Sequence, residues 1–119
     1  MIINKKAREE LIKNTDELNM KFVNAIGRAT DGYREAKTVG GIMDVKRAFL
    51  QELITTLPLG TYHCYFCLLK KDNCHSCKYG KKHGICIKKD SDYGKVMHAR
   101  NDLLGVIVEK YHKQGEEYL

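Results

Sequence analysis

The sequence predicts an all-α protein, either a three-helix antiparallel bundle or a long helical hairpin, with a short cysteine-rich metal-binding knuckle between helices 2 and 3. Proline occurs once in 119 residues, at Pro58, and the long stretches without it are rich in Lys, Glu, Leu and Ile, which favour helix over sheet. Apolar residues recur at helical spacing in three segments. All five cysteines lie between Cys64 and Cys86. We therefore predict a single helical domain over 1–119, with a zinc-knuckle insertion at 61–90.

The first predicted helix covers residues 4–29. An apolar stripe persists over several of its turns and comprises Leu11, Leu18, Phe22, Ala25 and Ala29. Glycines interrupt this pattern at Gly27 and Gly32, and two more glycines fall within residues 38–41. Because glycine is unfavourable inside a helix, we expect a flexible turn at 38–41.

The second predicted helix covers residues 42–57. Its apolar face comprises Ile42, Val45, Phe49, Leu53 and Leu57. Pro58 and Gly60 end it, because proline cannot continue a helix and glycine commonly follows one.

The third predicted helix covers residues 93–114. Asp90, Ser91 and Asp92 are candidate N-caps, and Gly115 is a natural end. Its apolar stripe comprises Tyr93, Val96, Met97, Leu103, Leu104, Ile107 and Tyr111. These stripes predict the hydrophobic core, but three helices with broad apolar faces could equally bury part of them in a homodimer.

Two Cys-x-x-Cys pairs dominate the segment that follows the second helix. Cys64 and Cys67 form the first pair, and six residues separate it from Cys74 and Cys77. Each pair lets two thiolates grip one ion from a tight turn, and two pairs complete a tetrahedron with zinc–sulfur distances of about 2.3 Å. Zinc ribbons commonly have roughly fifteen to twenty residues between the pairs. We therefore predict one structural Zn²⁺ per chain, held in a compact loop.

Five cysteines compete for four coordination positions. The candidate metal ligands are four of Cys64, Cys67, Cys74, Cys77 and Cys86, with His83 in reserve. The first Cys-x-x-Cys pair ranks highest, Cys77 ranks next, and the remaining two cysteines are equivalent. His63 and His75 lie beside candidate ligands and are predicted to face solvent.

Other metal and thiol chemistries fit the spacing less well. The stretch Cys64-x2-Cys67-x6-Cys74 resembles half of the fungal binuclear zinc-cluster pattern, whose second half is not matched because one cysteine is missing. A two-zinc cluster would use all five cysteines plus His83. An iron–sulfur cluster is less favoured, since its familiar cysteine spacings are absent. A redox dithiol normally begins a helix in a βαβ unit, for which the sequence shows no strands.

The excess positive charge of the chain, +6, lies entirely in the cysteine segment. Between His63 and Lys89 there are seven lysines and one acid, whereas the remaining residues contain fourteen basic and fourteen acidic side chains. The lysines are Lys70, Lys71, Lys78, Lys81, Lys82, Lys88 and Lys89. A partner recognised by charge is therefore expected to bind at this segment.

The first predicted function is contact of the basic knuckle with DNA or RNA. The lysines would neutralise phosphates, while Tyr65 and Tyr79, together with Tyr62 and Phe66, would stack on unpaired bases. The segment contains no arginine, which argues against specific base reading.

The alternative function is that of an adaptor for protein–protein interaction or oligomerisation. The helices would then supply the surface for a homo-oligomer or another protein, and zinc would only fix the angle between helices 2 and 3. The lysines would offset thiolate charge, and the aromatic rings would pack over the metal.

Catalysis and membrane insertion are not predicted. Four thiolates leave no open coordination position on zinc, and neither the nucleotide-deaminase pattern nor a glycine-rich phosphate loop is present. No apolar run reaches the roughly 18 to 20 residues of a membrane span. The amino terminus lacks the core of a signal peptide, so we expect a reducing, cytoplasmic location.

Overall fold

A computed structural model describes residues 2–70, 77–86 and 88–118 of the chain. In these ranges all regular secondary structure is helical and no strand is present, which confirms the all-α class, while the three-helix bundle with a knuckle stays a prediction. A 3₁₀ turn at Thr61–His63 accompanies five α-helices: α1 (Lys5–Glu35), α2 (Val39–Thr55), α3 (Tyr65–Lys70), α4 (Lys78–His83) and α5 (Asp92–Glu117).

Helix α1 continues beyond its predicted end at residue 29 and reaches Glu35. The glycine at position 32 does not interrupt it. A Cβ atom at Gly32 would lie 3.0 Å and 3.1 Å from the two Cγ atoms of Val45. The glycine therefore permits close packing of α1 against α2, and the prediction that it weakens or ends the helix was wrong.

Helix α2 begins at Val39, so the predicted flexible turn at 38–41 was also wrong. Thr38 is its N-cap, and the Thr38 hydroxyl accepts a hydrogen bond from the Gly41 N–H at 2.9 Å. Gly40 is buried and donates its N–H to the Tyr118 carbonyl at 2.9 Å. A Cβ at position 40 would lie 2.7 Å from that same oxygen. The glycine is required by this close backbone approach.

Helix α5 begins where the sequence predicted an N-cap. The Ser91 hydroxyl accepts a hydrogen bond from the Gly94 N–H at 3.0 Å, and the serine is only 2% exposed. The helix continues past Gly115, its predicted end, to Glu117. Gly115 is buried, and a Cβ there would meet a carboxylate oxygen of Asp44 at 2.7 Å.

The chain divides into two compact units, which we describe separately. The first unit comprises Met1–Leu18 and Pro58–Ala99, and it contains α3, α4 and the predicted knuckle. The second unit comprises Asn19–Leu57 and Arg100–Leu119, and it contains α2. Helices α1 and α5 contribute residues to both units. Among the described helices, none is both long and apolar enough for a membrane crossing.

Candidate metal centre

The first Cys-x-x-Cys pair lies at the start of α3. The Cys64 N–H donates to the Thr61 carbonyl at 3.3 Å and ends the 3₁₀ turn. The Cys64 carbonyl in turn accepts from the Leu68 N–H at 3.0 Å, which opens the helix. Cys67 follows in the first turn of α3. Cys64 precedes the helix with an extended backbone, and its thiol lies within hydrogen-bonding reach of the Cys67 thiol.

The other two described cysteines flank α4. Cys77 is the residue before this helix, and its carbonyl accepts from the Lys81 N–H at 3.1 Å. At 7% exposure it is buried. Cys86 follows Gly84, whose φ of +88° turns the chain sharply after α4. A Cβ at position 84 would lie 3.0 Å from Ser91, so this turn is also tightly packed.

Three of these cysteines lie close enough to Cys67 to affect its thiol. Burial is the largest cause that raises the pKa of Cys67 from 9.0 to about 12. Cys64 adds to this rise through its charge and a hydrogen bond, and the charges of Cys86 and Cys77 add further. None of the four is in a disulfide bond. Cys74, the fifth candidate ligand, lies outside the described residues.

A cavity of about 390 Å³ adjoins this thiol group. Cys64, Cys67 and Cys86 line it together with the rings of Phe66 and Tyr79. In the ranges that the structure describes, no three His, Cys, Asp or Glu side chains are arranged to hold a metal ion. The described thiols thus lie near Cys67, but their positions do not have the geometry of a metal site.

Aromatic rings form a continuous row beside the thiols. Tyr65 meets Phe66 edge to face at 5.7 Å, Phe66 lies 5.9 Å from Tyr79, and Tyr79 lies 4.7 Å from the His83 ring. Burial, and then the negative charges of Asp92, Cys86 and Cys64, raise the pKa of Tyr79. The rings of Tyr65 and Tyr79, predicted to stack on bases, are thus half-buried and pack against other rings of the protein.

A histidine–carboxylate pair lies at the end of this row. The Nδ1 atom of His83 is 2.7 Å from a carboxylate oxygen of Asp92, and both side chains are about half exposed. Metal-bound histidines commonly have such a partner on their second nitrogen. His83 therefore stays a reserve ligand. His63 is half-buried and lines the cavity, whereas His75 lies outside the described residues.

Three hydrogen bonds anchor the 3₁₀ turn and α3, and sequence reasoning missed all of them. The Asn4 N–H donates to the Tyr65 hydroxyl at 2.8 Å. The Asn14 side chain donates to the Tyr62 carbonyl at 2.7 Å. The Tyr93 hydroxyl donates to the Leu59 carbonyl. Each joins residues far apart in the chain, so a single sequence carries no signal for them.

The lysines predicted to bind nucleic acid lie on the surface around this group. The exposed ones are Lys70, Lys78, Lys81, Lys82, Lys88 and Lys89, and Lys71 lies outside the described residues. Lys78, Lys81 and Lys82 share one face of α4, since residues three and four apart are neighbours on a helix.

Comparisons with known proteins supply no family for this chain. It matches no family model, no curated protein and no solved structure. The functional argument therefore rests on the chemistry of the site.

Proposed function

We propose that this protein is a small, non-catalytic zinc-binding protein whose lysine-rich surface contacts nucleic acid in a regulatory or accessory role. One juxtaposition supports it above all: four thiols lie in one neighbourhood, and six exposed lysines come from the segments that carry those thiols. The knuckle at 61–90 would join α2 and α5 of a helical bundle, and zinc would fix its fold.

Cys64, Cys67, Cys77 and Cys86 are the proposed zinc ligands. Four thiolates suit tetrahedral zinc, which needs no redox chemistry. We place Cys86 in the fourth position, which the spacing alone left open, because its charge acts on Cys67. Zinc would draw the start of α3 and the two ends of α4 together. Zinc would stabilise this part of the chain, because the free energy of binding a structural zinc adds to the free energy of folding.

The lysine-rich surface would bind phosphates. The segment from Cys77 to Lys89 contains five lysines and no acidic residue. Lysine acts as a point charge toward phosphate, so the expected binding is electrostatic and weakly dependent on sequence. Tyr62, which is 71% exposed, is better placed for base stacking than the engaged rings of Tyr65 and Tyr79.

Fluorescence anisotropy with labelled single-stranded and duplex DNA and RNA tests this proposal. The affinity should fall linearly on a log–log plot against salt concentration. The double substitution Lys81→Glu and Lys82→Glu should abolish binding. The matched control is Lys5→Glu with Lys6→Glu, an exposed lysine pair at the start of α1, which should retain binding. Absence of binding at low salt, or equal losses in both variants, would contradict the proposal.

A second candidate is the adaptor function, in which zinc is purely structural and a protein surface is the partner. The packing of Tyr65, Phe66 and Tyr79 on one another favours it, because these rings then serve the protein interior. Exposed apolar side chains on the long helices favour it as well. In that case nucleic acid would not bind, while sedimentation would show an oligomer or a captured partner.

A further inference from the structure

The cavity of about 390 Å³ beside the thiols lies entirely within the first unit, because its lining residues all fall within residues 58–96. It opens to solvent, and its size is typical of pockets for small organic groups, which measure about 300 to 1,000 Å³. A zinc ion bound at zinc–sulfur distances of about 2.3 Å would fill only the thiol side of it. The remaining space is therefore available to a second ligand.

Aromatic rings form a large part of the cavity wall. Tyr65, Phe66, Tyr79 and Tyr93 all line it, so the packing of Phe66 on its neighbouring rings leaves part of its surface facing the cavity. Aromatic rings favour other flat rings through stacked and edge-to-face contacts. An apolar cavity of about 150 Å³ holds one benzene molecule. The larger cavity beside the thiols therefore has room for a heterocycle of one or two rings.

Two polar residues, Thr61 and His63, also line the cavity. A hydroxyl and an imidazole both donate and accept hydrogen bonds. A bound hydrocarbon would displace water from them without supplying a partner, whereas ring nitrogens and carbonyl oxygens would supply one. The wall therefore suits a polar heterocycle.

Hydrogen bonds from distant residues hold two of the lining rings in place. The Tyr65 hydroxyl accepts the Asn4 N–H at 2.8 Å, and the Tyr93 hydroxyl donates to the carbonyl of Leu59, which is itself a lining residue. Both bonds lie within the first unit. A wall fixed in this way needs little ordering when a ligand enters, which favours binding.

The helices that line the cavity also carry exposed lysines. Helix α3 supplies Phe66 to the wall and ends at Lys70, while α4 supplies Tyr79 and carries Lys82 three residues further on. Because residues three apart are neighbours on a helix, Lys82 lies beside Tyr79. A ring in the cavity that is joined to phosphates would place those phosphates near these amines. A heterocycle joined to phosphate is the chemistry of a nucleotide.

We infer that the cavity binds one unpaired base of a single-stranded nucleic acid, with the flanking phosphates on the lysine-rich surface. This assignment rests on the proposed function and adds to it a preference for single strands. Bases in a duplex are paired and stacked, whereas bases of a single strand can be splayed out and packed against aromatic side chains. Tyr65 and Tyr79 then contact a base inside the cavity, and the exposed Tyr62 stacks on a neighbouring base outside it.

Fluorescence anisotropy of the full, zinc-supplemented chain tests this site with two labelled oligonucleotides of equal length. One is oligothymidine, and the other has the same sugar–phosphate backbone without bases. Because both strands carry the same phosphates, their electrostatic attraction to the lysines is alike. The loss of base contacts should make the abasic strand bind about tenfold more weakly, or weaker still.

Phe66→Leu removes a lining ring and keeps an apolar side chain at that position. The affinity for oligothymidine should fall toward that for the abasic strand. The affinity for the abasic strand should not change, which shows that the variant keeps its folded lysine-rich surface. The matched control Phe49→Leu makes the same change on α2 in the second unit, and it should bind both strands like the wild type.

Nuclear magnetic resonance of the unsubstituted chain gives a second test. Val96 lines the cavity and is 47% exposed, whereas Val106 lies on the same helix in the second unit and is 54% exposed. The methyl resonances of Val96 should shift with oligothymidine and not with the abasic strand, and those of Val106 should shift with neither.

The outcomes separate this inference from the proposed function. Equal affinities for the two strands, or Val96 methyl groups that do not respond to oligothymidine, would overturn the inference and leave the phosphate contact in place. Absence of binding to both strands would contradict the proposed function and the inference together.

Discussion

The Ser91 hydroxyl accepts a hydrogen bond from the Gly94 N–H at 3.0 Å. The same hydroxyl donates a hydrogen bond to the Lys88 carbonyl at 2.7 Å. One buried side chain thus ends the knuckle and starts α5.

Ser91→Ala should lower the free energy of unfolding by about 1–2 kcal/mol, because it removes a helix cap and leaves buried groups without a partner. Urea denaturation followed by circular dichroism measures this. Asp90→Ala, at the exposed neighbouring position, should stay within about 0.5 kcal/mol of the wild type; equal stabilities for both variants would refute the role of Ser91.

Zinc content and ligand identity form a second prediction. Elemental analysis of the purified protein should find one zinc per chain. Cys67→Ser and Cys86→Ser should each lose it, because removal of one thiolate opens the tetrahedral shell. Cys74→Ser is the matched control and should keep the metal. Iron together with acid-labile sulfide would exclude zinc, and loss of zinc in Cys74→Ser would exclude the proposed ligand set.

The two glycines Gly84 and Gly105 should respond in opposite directions to alanine. Gly84 has a φ of +88°, which side chains rarely adopt, so Gly84→Ala should cost about 1–3 kcal/mol of stability. Gly105 lies exposed inside α5, and a Cβ there meets nothing within 4 Å. Gly105→Ala should stabilise the protein by up to about 1 kcal/mol. Thermal unfolding of both variants measures the difference, and a shared sign would contradict this account of the loop after α4.

Alkaline pH should destabilise the metal-free protein through Cys67. Its pKa rises from 9.0 to about 12 in the folded state, chiefly by burial, so the folded chain holds a proton that the unfolded chain releases. This stabilisation is complete below pH 9 and is lost as the pH rises toward 12. In the presence of a chelator, the wild type should lose more unfolding free energy from pH 9 upward than Cys67→Ala. Identical pH profiles would show that Cys67 does not lie in the described surroundings.

Local signals in the sequence were sufficient for the helical class and for the boundaries that depend on neighbouring residues. Ser91 caps a helix through a residue three positions away, and Gly84 turns the chain by its own conformation. Both are properties of a few consecutive residues, and the cap was among the candidates that the sequence predicted.

Boundaries set by distant neighbours were not predictable in this way. Gly32 and Gly40 resemble helix breakers in sequence, yet they are glycines because Val45 and Tyr118 approach them. The position of Cys86 has the same origin, because only the packing of the loop after Gly84 brings its charge to bear on Cys67. The contacts of Asn4 and Asn14 with the knuckle residues are equally non-local.

The absence of arginine from the segment between His63 and Lys89 has one more consequence. A lysine loses its charge on acetylation, whereas a methylated arginine keeps it. Lys81 and Lys82 are exposed, so a modifying enzyme could reach them without unfolding the helix that carries them. Under the proposed function, acetylation would lower the affinity of this surface for phosphates one amine at a time, and the proposed zinc ligands would stay unmodified.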